Sequence, residues 1–345
     1  MRRWTGLVAS IAAGALLAPL GAAAEPVEDF YKGKQIRLII GTEPGTSYDA
    51  YARTLARHMG DHLPGKPTFV PQNMPGAGSL NTYNHIYNVA PRDGSTLGTG
   101  HRFVPLMPLL AMPGPKFDAS KFLYVGSINR EVDICIARAD SGIRSVDDLK
   151  AKELMVGTTG AGAELTTFYA TLGRMIGAKL KVITGYRSTN DLYLAVQRGE
   201  IQGRCGDSYA NFLNHFPGVE KTREVNPILQ IGLVKDPAIP SVPWLLDLVR
   251  DDADHKALEL MLAPSDMGRP YVGPPEVPAD RAAALRAAFD ATVRDPVVVA
   301  ELKKQTLEVN PLSGRQMEEL VANAYRTPEP IVARARALVN SAPSQ

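Results

Sequence analysis

The chain has 345 residues, 45% hydrophobic and 21% charged, which is enough apolar material for two packed α/β domains or one large one. Its 38 basic and 36 acidic residues leave a formal charge of +2, a balance that supports neither nucleic-acid binding nor a membrane-surface role. Cys135 and Cys205 are too few for a disulfide framework or a zinc site. Each falls in a predicted strand, DICIARA and IQGRCGD, where a buried apolar thiol is the simplest reading.

Arg2 and Arg3 precede an uncharged apolar run, Trp4 to Leu20, and Gly21-Ala22-Ala23-Ala24 offers an A-x-A cleavage site before Glu25. This is a secretory signal pattern, with an apolar run short for a permanent span, and cleavage after Ala24 is expected. Cleavage would make the acidic and basic counts equal. No cysteine lies at the cleavage site, so a lipid anchor there is not expected, and no later stretch is long enough to span a bilayer. The mature protein is expected to be soluble and exported to a bacterial periplasm.

Strand and helix then alternate. QIRLII (35–40) reads as a strand and Tyr48–Met59 as a helix. PTFVPQN (67–73) is a second strand, PGAGS (75–79) opens a helix through Asn88, and STLGTG (95–100) is a third strand. FLYVGSI (122–128) and VDICIARA (132–139) are separated by Asn129-Arg130-Glu131, a polar break that reads as a crossing between lobes. A second set follows: a short helix capped by Ser145, with Asp148 at the capping-box position, strand ELMVGTT (153–159), and a helix Ala163–Ile176 stopped by Gly177. LKVITGY (180–186), a helix Asn190–Arg198 and IQGRCGD (201–207) complete it, and PILQIGLV (227–234) reads as the return crossing. Beyond a Pro-rich connector (235–249) and YVGPPEVPADR (271–281), helices are predicted over Ala279–Arg294 and Ser313–Ala335, the latter broken at Pro328. The alternation implies mostly parallel sheets, and its repetition implies two lobes around a cleft that hinge closure can shut.

Three turns join glycines and hydroxyls where a strand gives way to a helix: GTEPGTSYD (41–49), NMPGAGS (73–79) and GTTGAGAE (157–164). Unpaired N–H groups and the positive dipole end of each helix make such turns neutral anion cradles, and glycine lets a ligand approach the backbone. Phosphate-loop readings fail, because no Lys follows Gly45 or Gly162 and the GxG of Gly76-Ala77-Gly78 and of Gly160-Ala161-Gly162 lacks its third glycine. The chain contains no GxSxG, HExxH or CxxC. His58 and His62 share a helix face without a third ligand, and a solvated face is the expectation there. Ser47 has no base in sequence reach, so capping or hydrogen bonding is favoured over nucleophilic chemistry. Asp49 reads first as a first-turn carboxylate that complements the helix dipole, and second as an acceptor for a ligand donor. Glu43 would repel an anion in the cradle and is expected to point outward or to select a ligand with a donor group.

Taken together these segments resemble the extracytoplasmic solute receptors of tripartite tricarboxylate transporters, the Bug-type binding proteins, over about Tyr31 to Tyr325. The resemblance rests on YKGKQIRLIIGTEPGTSYDAYARTLARHM, on QNMPGAGSLNTYNHIYNVAPRDGSTLGTG with its PGAG and APRDG spacing, on KDPAIPSVPWLLDLV, and on RDPVVVAELKKQTLEVNPLSG. It implies an α/β, type II-like two-lobed periplasmic binding protein fold, each lobe a mostly parallel sheet flanked by helices. The implied organisation is a signal peptide at 1–24, a first lobe from 25–130 with about 235–325, a second lobe at 131–234, and a C-terminal helix and tail at 326–345. The implied role is capture of a small organic carboxylate for membrane permease subunits, as a monomer without catalytic activity, cofactor, metal or nucleic acid. A periplasmic sensor component is the alternative, and a hydrolase using Ser47 a remote one.

Carried over residue by residue, the carboxylate cradle falls on Gly45, Thr46 and Ser47 in the first lobe and on Thr158, Gly160, Gly162 and Ala163 in the second. Asp49, Gly76, Ala77, Gly78, the strand end at Thr99, Tyr186, Arg187 and Asp207 complete the expected ligand-binding set. This chain departs from the family where Thr46 replaces a second glycine, at Ala163 and Thr166, and at Tyr186-Arg187-Ser188 in place of Tyr-Lys-Gly; Arg187 reads equally as a partner for a second carboxylate or as a solvated arginine. The resemblance also makes the strands of Cys135 and Cys205 neighbours, so a disulfide is geometrically open, although free thiols are the expectation.

Overall fold

The computed structural model describes residues 25–158 and 164–340; the expected signal segment and the expected cradle residues Gly160, Gly162 and Ala163 lie outside them. Eleven strands are present among the described residues: β1 Gln35–Ile40, β2 Thr68–Asn73, β3 Thr96–Thr99, β4 Leu123–Ser127, β5 Asp133–Arg138, β6 Leu154–Thr158, β7 Leu180–Thr184, β8 Gly203–Ser208, β9 Val225–Ile231, β10 Pro270–Gly273 and β11 Leu312–Ser313. They form two open sheets, ordered β11-β4-β10-β3-β1-β2 and β7-β6-β8-β5-β9. β1 pairs in parallel with β2 and β3, and β6 with β7 and β8. The sheets are mixed because β10 and β11 run against the first sheet and β5 against the second.

Burial explains why these segments become strands. Ile36, Leu38 and Ile40 of β1 point into one apolar cluster, with Tyr51, Leu55, Leu285 and Phe289, while Ile39 points into another with Tyr83, Ile86 and Val272. A strand apolar on both faces sits in the middle of a helix-covered sheet. The second sheet is covered likewise: Cys135, Val156 and Cys205 face Tyr169 and Leu172, and Ile134, Ile136 and Ile201 face Tyr193 and Phe212. Helices start at side-chain caps. Thr46 accepts from the Asp49 N–H, Ser145 from Asp148, Ser188 from Asp191 and Ser208 from Asn211, and Ser313 forms a full capping box with Gln316.

The polar break at Asn129–Glu131 carries the chain from β4 in the first sheet to β5 in the second. It is stitched to a second connecting segment: Ile128 N–H donates to Arg269 O at 3.3 Å and Glu131 N–H to Ser265 O at 2.9 Å. The predicted return crossing at 227–234 is corrected. Residues Val225–Ile231 are the edge strand β9, held antiparallel to β5, and the chain rejoins the first sheet only at β10. Two helices also join the lobes. Asp252–Leu262 sends Leu258 and Leu262 into the second-lobe core and Ala257 and Leu260 into the first-lobe core. Glu329–Asn340 packs on that helix and on Glu164–Ile176. The break expected at Pro328 separates it from Gly314–Tyr325.

Two further expectations change. His58 and His62 are not a solvated face: they meet Glu301 (2.6 Å) and Asp295 (3.1 Å) beside the Pro296–Lys304 helix. Cys135 and Cys205 are directly opposite each other in the β5–β8 ladder and are joined by a disulfide, so the expectation of free thiols is corrected. The bridge closes a sequence separation of 70 residues. Denatured protein without reductant should therefore show no reactive thiol, and Cys135→Ala with Cys205→Ala should cost about 2–5 kcal/mol in urea unfolding.

Candidate functional site

The carboxyl ends of β1, β2 and β3 meet at one corner of the first lobe, where a buried serine ties β1 to β3. Ser79, 1% exposed, donates its hydroxyl to Gly41 O at 2.9 Å and accepts from the His101 N–H at 3.0 Å. A side chain at Gly41 or Gly100 would collide with it, since an added Cβ at either would lie 2.7 Å from the Ser79 Cβ. Ser79 reaches this position through a left-handed turn: Gly76, Ala77, Gly78 and Ser79 have φ of 125°, 47°, 61° and 73°. The helix expected to open at 75–79 therefore begins only at Leu80. Gly76, Ala77 and Gly78 form the exposed tip of this turn.

The 41–49 turn is braced from within. Asp49, 4% exposed, accepts from the Gly45 N–H at 2.9 Å, from Arg53 Nε at 2.9 Å and from Asn73 Nδ2 at 2.8 Å. Asn73 also donates to Thr42 O, at 2.9 Å. Burial alone would raise the Asp49 carboxyl, but these hydrogen bonds outweigh it and hold it below the usual carboxylate range. The Gly45 N–H and the Asp49 carboxylate are thus committed to each other. Thr46 caps the helix and donates to Glu43 O at 3.0 Å, which places Thr46 inside the turn and leaves Glu43 exposed. Among the described residues, the N–H groups of Ser47 and Tyr48 remain without partners at the helix start.

Ser47 faces a buried ionic network that the sequence reading missed. Its hydroxyl accepts from Arg269 Nη2 at 3.0 Å, and Arg269 Nη1 pairs with Glu131 at 2.8 Å. The Arg269 guanidinium lies 4.1 Å from the Tyr48 ring centre and 5.4 Å from that of Tyr51. Glu131 also pairs with Arg102, whose other nitrogen meets Asp133 at 2.5 Å, so that a first-lobe guanidinium holds a second-lobe carboxylate. Desolvation raises the Asp133 carboxyl, against the Arg102 charge, and the Glu131 charge adds to the rise. Arg269 stays protonated, so it cannot act as the base for a Ser47 nucleophile.

In the second lobe, Thr158 ends β6 fully buried, its hydroxyl accepting from Thr166 at 3.1 Å. Asp207 ends β8 and is occupied within its own lobe: Arg204 lies at 3.2 Å, Asn211 Nδ2 donates at 2.8 Å and the Ser208 N–H at 2.9 Å. Tyr186 is half-buried against the second-lobe core. Arg187 is 89% exposed and paired with Asp191 at 3.0 Å. Thr99 is buried in β3 opposite Tyr271, and its hydroxyl has no partner among the described residues. The structure thus gathers Ser47 with second-lobe residues Ser208, Tyr209 and Asn211 around one inter-lobe cavity, and Ser47 alone among the described residues of the expected ligand-binding set lines it. Only the polar break gave a sequence signal for Glu131; Arg102 and Arg269 sit among glycines and prolines in segments that read as connectors.

No protein-family model and no curated protein matches the chain. Solved structures do. A TctC solute-binding protein from Polaromonas superposes with a TM-score of 0.66 at 18% identity, covering 90% of this chain and 99% of its own. MatC from Rhodopseudomonas palustris with bound malate gives 0.63 at 17% identity, covering 89% and 99%. An R. palustris protein with adipate gives 0.64 at 18% identity, covering 88% and 97%. The chain has the two-lobed fold of the periplasmic binding proteins.

Two outcomes follow from this geometry. Glu131→Gln removes the charge shared by two buried guanidiniums and should lower unfolding free energy by about 3–5 kcal/mol, read in urea melts. Asp49 has a depressed folded pKa, so its contribution is complete above the usual carboxylate range and is lost as pH falls through the folded value. Asp49→Asn should therefore destabilise most near neutrality, and its melting curves should converge with those of the parent below about pH 4.

Proposed function

We propose that the protein is a periplasmic solute-binding receptor that captures a small organic carboxylate and delivers it to the membrane subunits of a tripartite tricarboxylate-type transporter. The observation that carries this reading is the start of the Ser47–His58 helix at the cleft between the lobes, where the Ser47 and Tyr48 N–H groups have no partner among the described residues. Helix starts offer N–H donors and a positive dipole end without a mobile counter-ion, which suits a carboxylate. The bound malate and adipate in two structures of the same fold agree with that chemistry. Among the described residues no helix is long and apolar enough to cross a membrane.

In this reading one carboxylate sits at the Ser47 and Tyr48 N–H groups in the first lobe and at the turn after Thr158, with Gly160, Gly162 and Ala163, in the second. Gly45, Thr46 and Asp49 act behind the contact surface by fixing the turn. Gly76, Ala77 and Gly78 edge the cleft, and Tyr186, Arg187 and Asp207 belong to its second-lobe side. Closing the lobes excludes water and strengthens each N–H contact.

A thermal-shift screen of malate, succinate, adipate and citrate tests the reading. A ligand at 100 times its Kd adds about 2.7 kcal/mol to folding and should raise Tm measurably. Ser47→Leu should weaken that ligand at least about tenfold, a loss of about 1.4 kcal/mol. No shift with any carboxylate, or full affinity in Ser47→Leu, would overturn the assignment.

A further inference from the structure

His101 stands at the same corner of the first lobe as the Ser47–His58 helix start. It is the second residue past Thr99, whose carbonyl accepts from the Gly41 N–H at 2.8 Å, so the chain leaves β3 beside the 41–49 turn. Its own N–H is fixed by the Ser79 hydroxyl at 3.0 Å. Its ring lies 5.1 Å from the Tyr48 ring, tilted by 52°. Tyr48 is held in turn: its hydroxyl accepts from the Arg102 N–H at 3.2 Å, and Arg269 covers its ring. The imidazole therefore packs on the side chain of a residue whose own N–H is free at the helix start. His58, His62 and His215 are engaged by neighbouring oxygens. His101 is exposed, and among the described residues neither of its ring nitrogens has a hydrogen-bond partner.

The groups that face the ring come from four places. Tyr48 belongs to the Ser47–His58 helix, Arg102 is next in sequence, Glu131 lies in the crossing between lobes, and Arg269 precedes β10. Solvent reaches the imidazole, but the walls of the cleft crowd it. This partial removal from water, and then the Arg269 and Arg102 charges, lower its pKa to about 4, against a smaller opposing pull from Glu131. By itself the imidazole is therefore neutral at physiological pH. A carboxylate at the Ser47 and Tyr48 N–H groups shifts this balance, because a negative charge beside the ring favours imidazolium. Arg102 and Arg269 need not move for that, since each keeps its own carboxylate partner.

We propose that His101 contacts the bound carboxylate and takes up a proton as the ligand binds, so that the receptor holds its ligand more tightly as pH falls. The proposal rests on the carboxylate-receptor reading and adds a recognition residue to that site. A neutral imidazole offers the anion one N–H donor, and protonation converts that contact into a charge-assisted bond. The proton comes from solvent and returns to it on release. The sign follows from linkage. The bound form has the higher His101 pKa, so it carries more protons between that value and about 4, and Kd falls with pH inside that window. Above the bound-state pKa, His101 protonation contributes no pH dependence.

Calorimetry on the mature protein and on His101→Gln tests this with malate, succinate, adipate and citrate, from about pH 8 down to about pH 5.5. Glutamine keeps a neutral donor and cannot titrate. The ligand's own ionisation is common to both proteins, so the ratio of variant to parent Kd isolates His101. For a ligand that binds, this ratio should rise about threefold or more across that range. The His101 ring resonances, assigned by their loss in the variant, should titrate near pH 4 in the free protein and at higher pH under saturating ligand. A variant that only disturbed the packing on Tyr48 would weaken binding equally at every pH. A flat ratio of that kind, or a ring pKa that does not rise on saturation, overturns the role of His101 and leaves the carboxylate reading standing. No binding by any of the four overturns both.

Discussion

Glu131 holds two guanidiniums in a place largely closed to water, and much of the cleft is arranged around that fact. Its side chain and that of Arg269 are each only 7% exposed. Ions moved out of water cost several kcal/mol apiece unless partners and hydrogen bonds replace the solvent. Here the replacement is complete enough to fix positions. Arg269 spreads over Tyr48 and Tyr51 and reaches Ser47, so the start of the Ser47–His58 helix is set by a residue from the segment that returns to the first sheet. Arg102 spans from the end of β3 to Asp133 at the start of β5, which ties the two lobes at the point where the chain crosses. Losing Glu131 would strand both guanidiniums, so stability and lobe geometry depend on the same carboxylate.

The network also constrains how a ligand can be held. Arg102, Arg269 and Arg204 are matched by Glu131, Asp133 and Asp207. None of the three guanidiniums is a spare charge for a bound anion. Arg187, the one arginine that the sequence placed near a second carboxylate, is at the surface with Asp191. In the proposed reading a carboxylate is left to N–H groups, hydroxyls and helix ends, donors fixed by the backbone that would gain strength where water is excluded.

What the sequence made legible follows from how local the signal is. β1 and the turn after it were readable because an apolar run ends in glycines and a Thr46 cap, all within a few residues. The crossing at Asn129–Glu131 was readable because polar residues interrupt an apolar run. β10 was not: four residues between Arg269 and a Pro-Pro pair read as connector, and only pairing with β3 and β4 makes them a central strand. The Asp252–Leu262 helix was overlooked, and its apolar positions serve two cores at once. The partners of Glu131 lie in different segments of the chain, so no window of sequence shows them together. Asp49 was weighed as helix start or ligand contact and is neither alone; Asn73 and Gly45 make it the brace of the turn.

The second-lobe side of the cleft is mechanically coupled to the C-terminus. The Glu164–Ile176 helix packs on the Glu329–Asn340 helix, where Arg174 donates to Leu338 O at 3.4 Å. Glu329–Asn340 in turn packs Val332, Ala335 and Leu338 into the first-lobe core. Three separate ties thus resist free swinging: the Arg102–Asp133 pair, the Asp252–Leu262 helix and the Glu329–Asn340 helix.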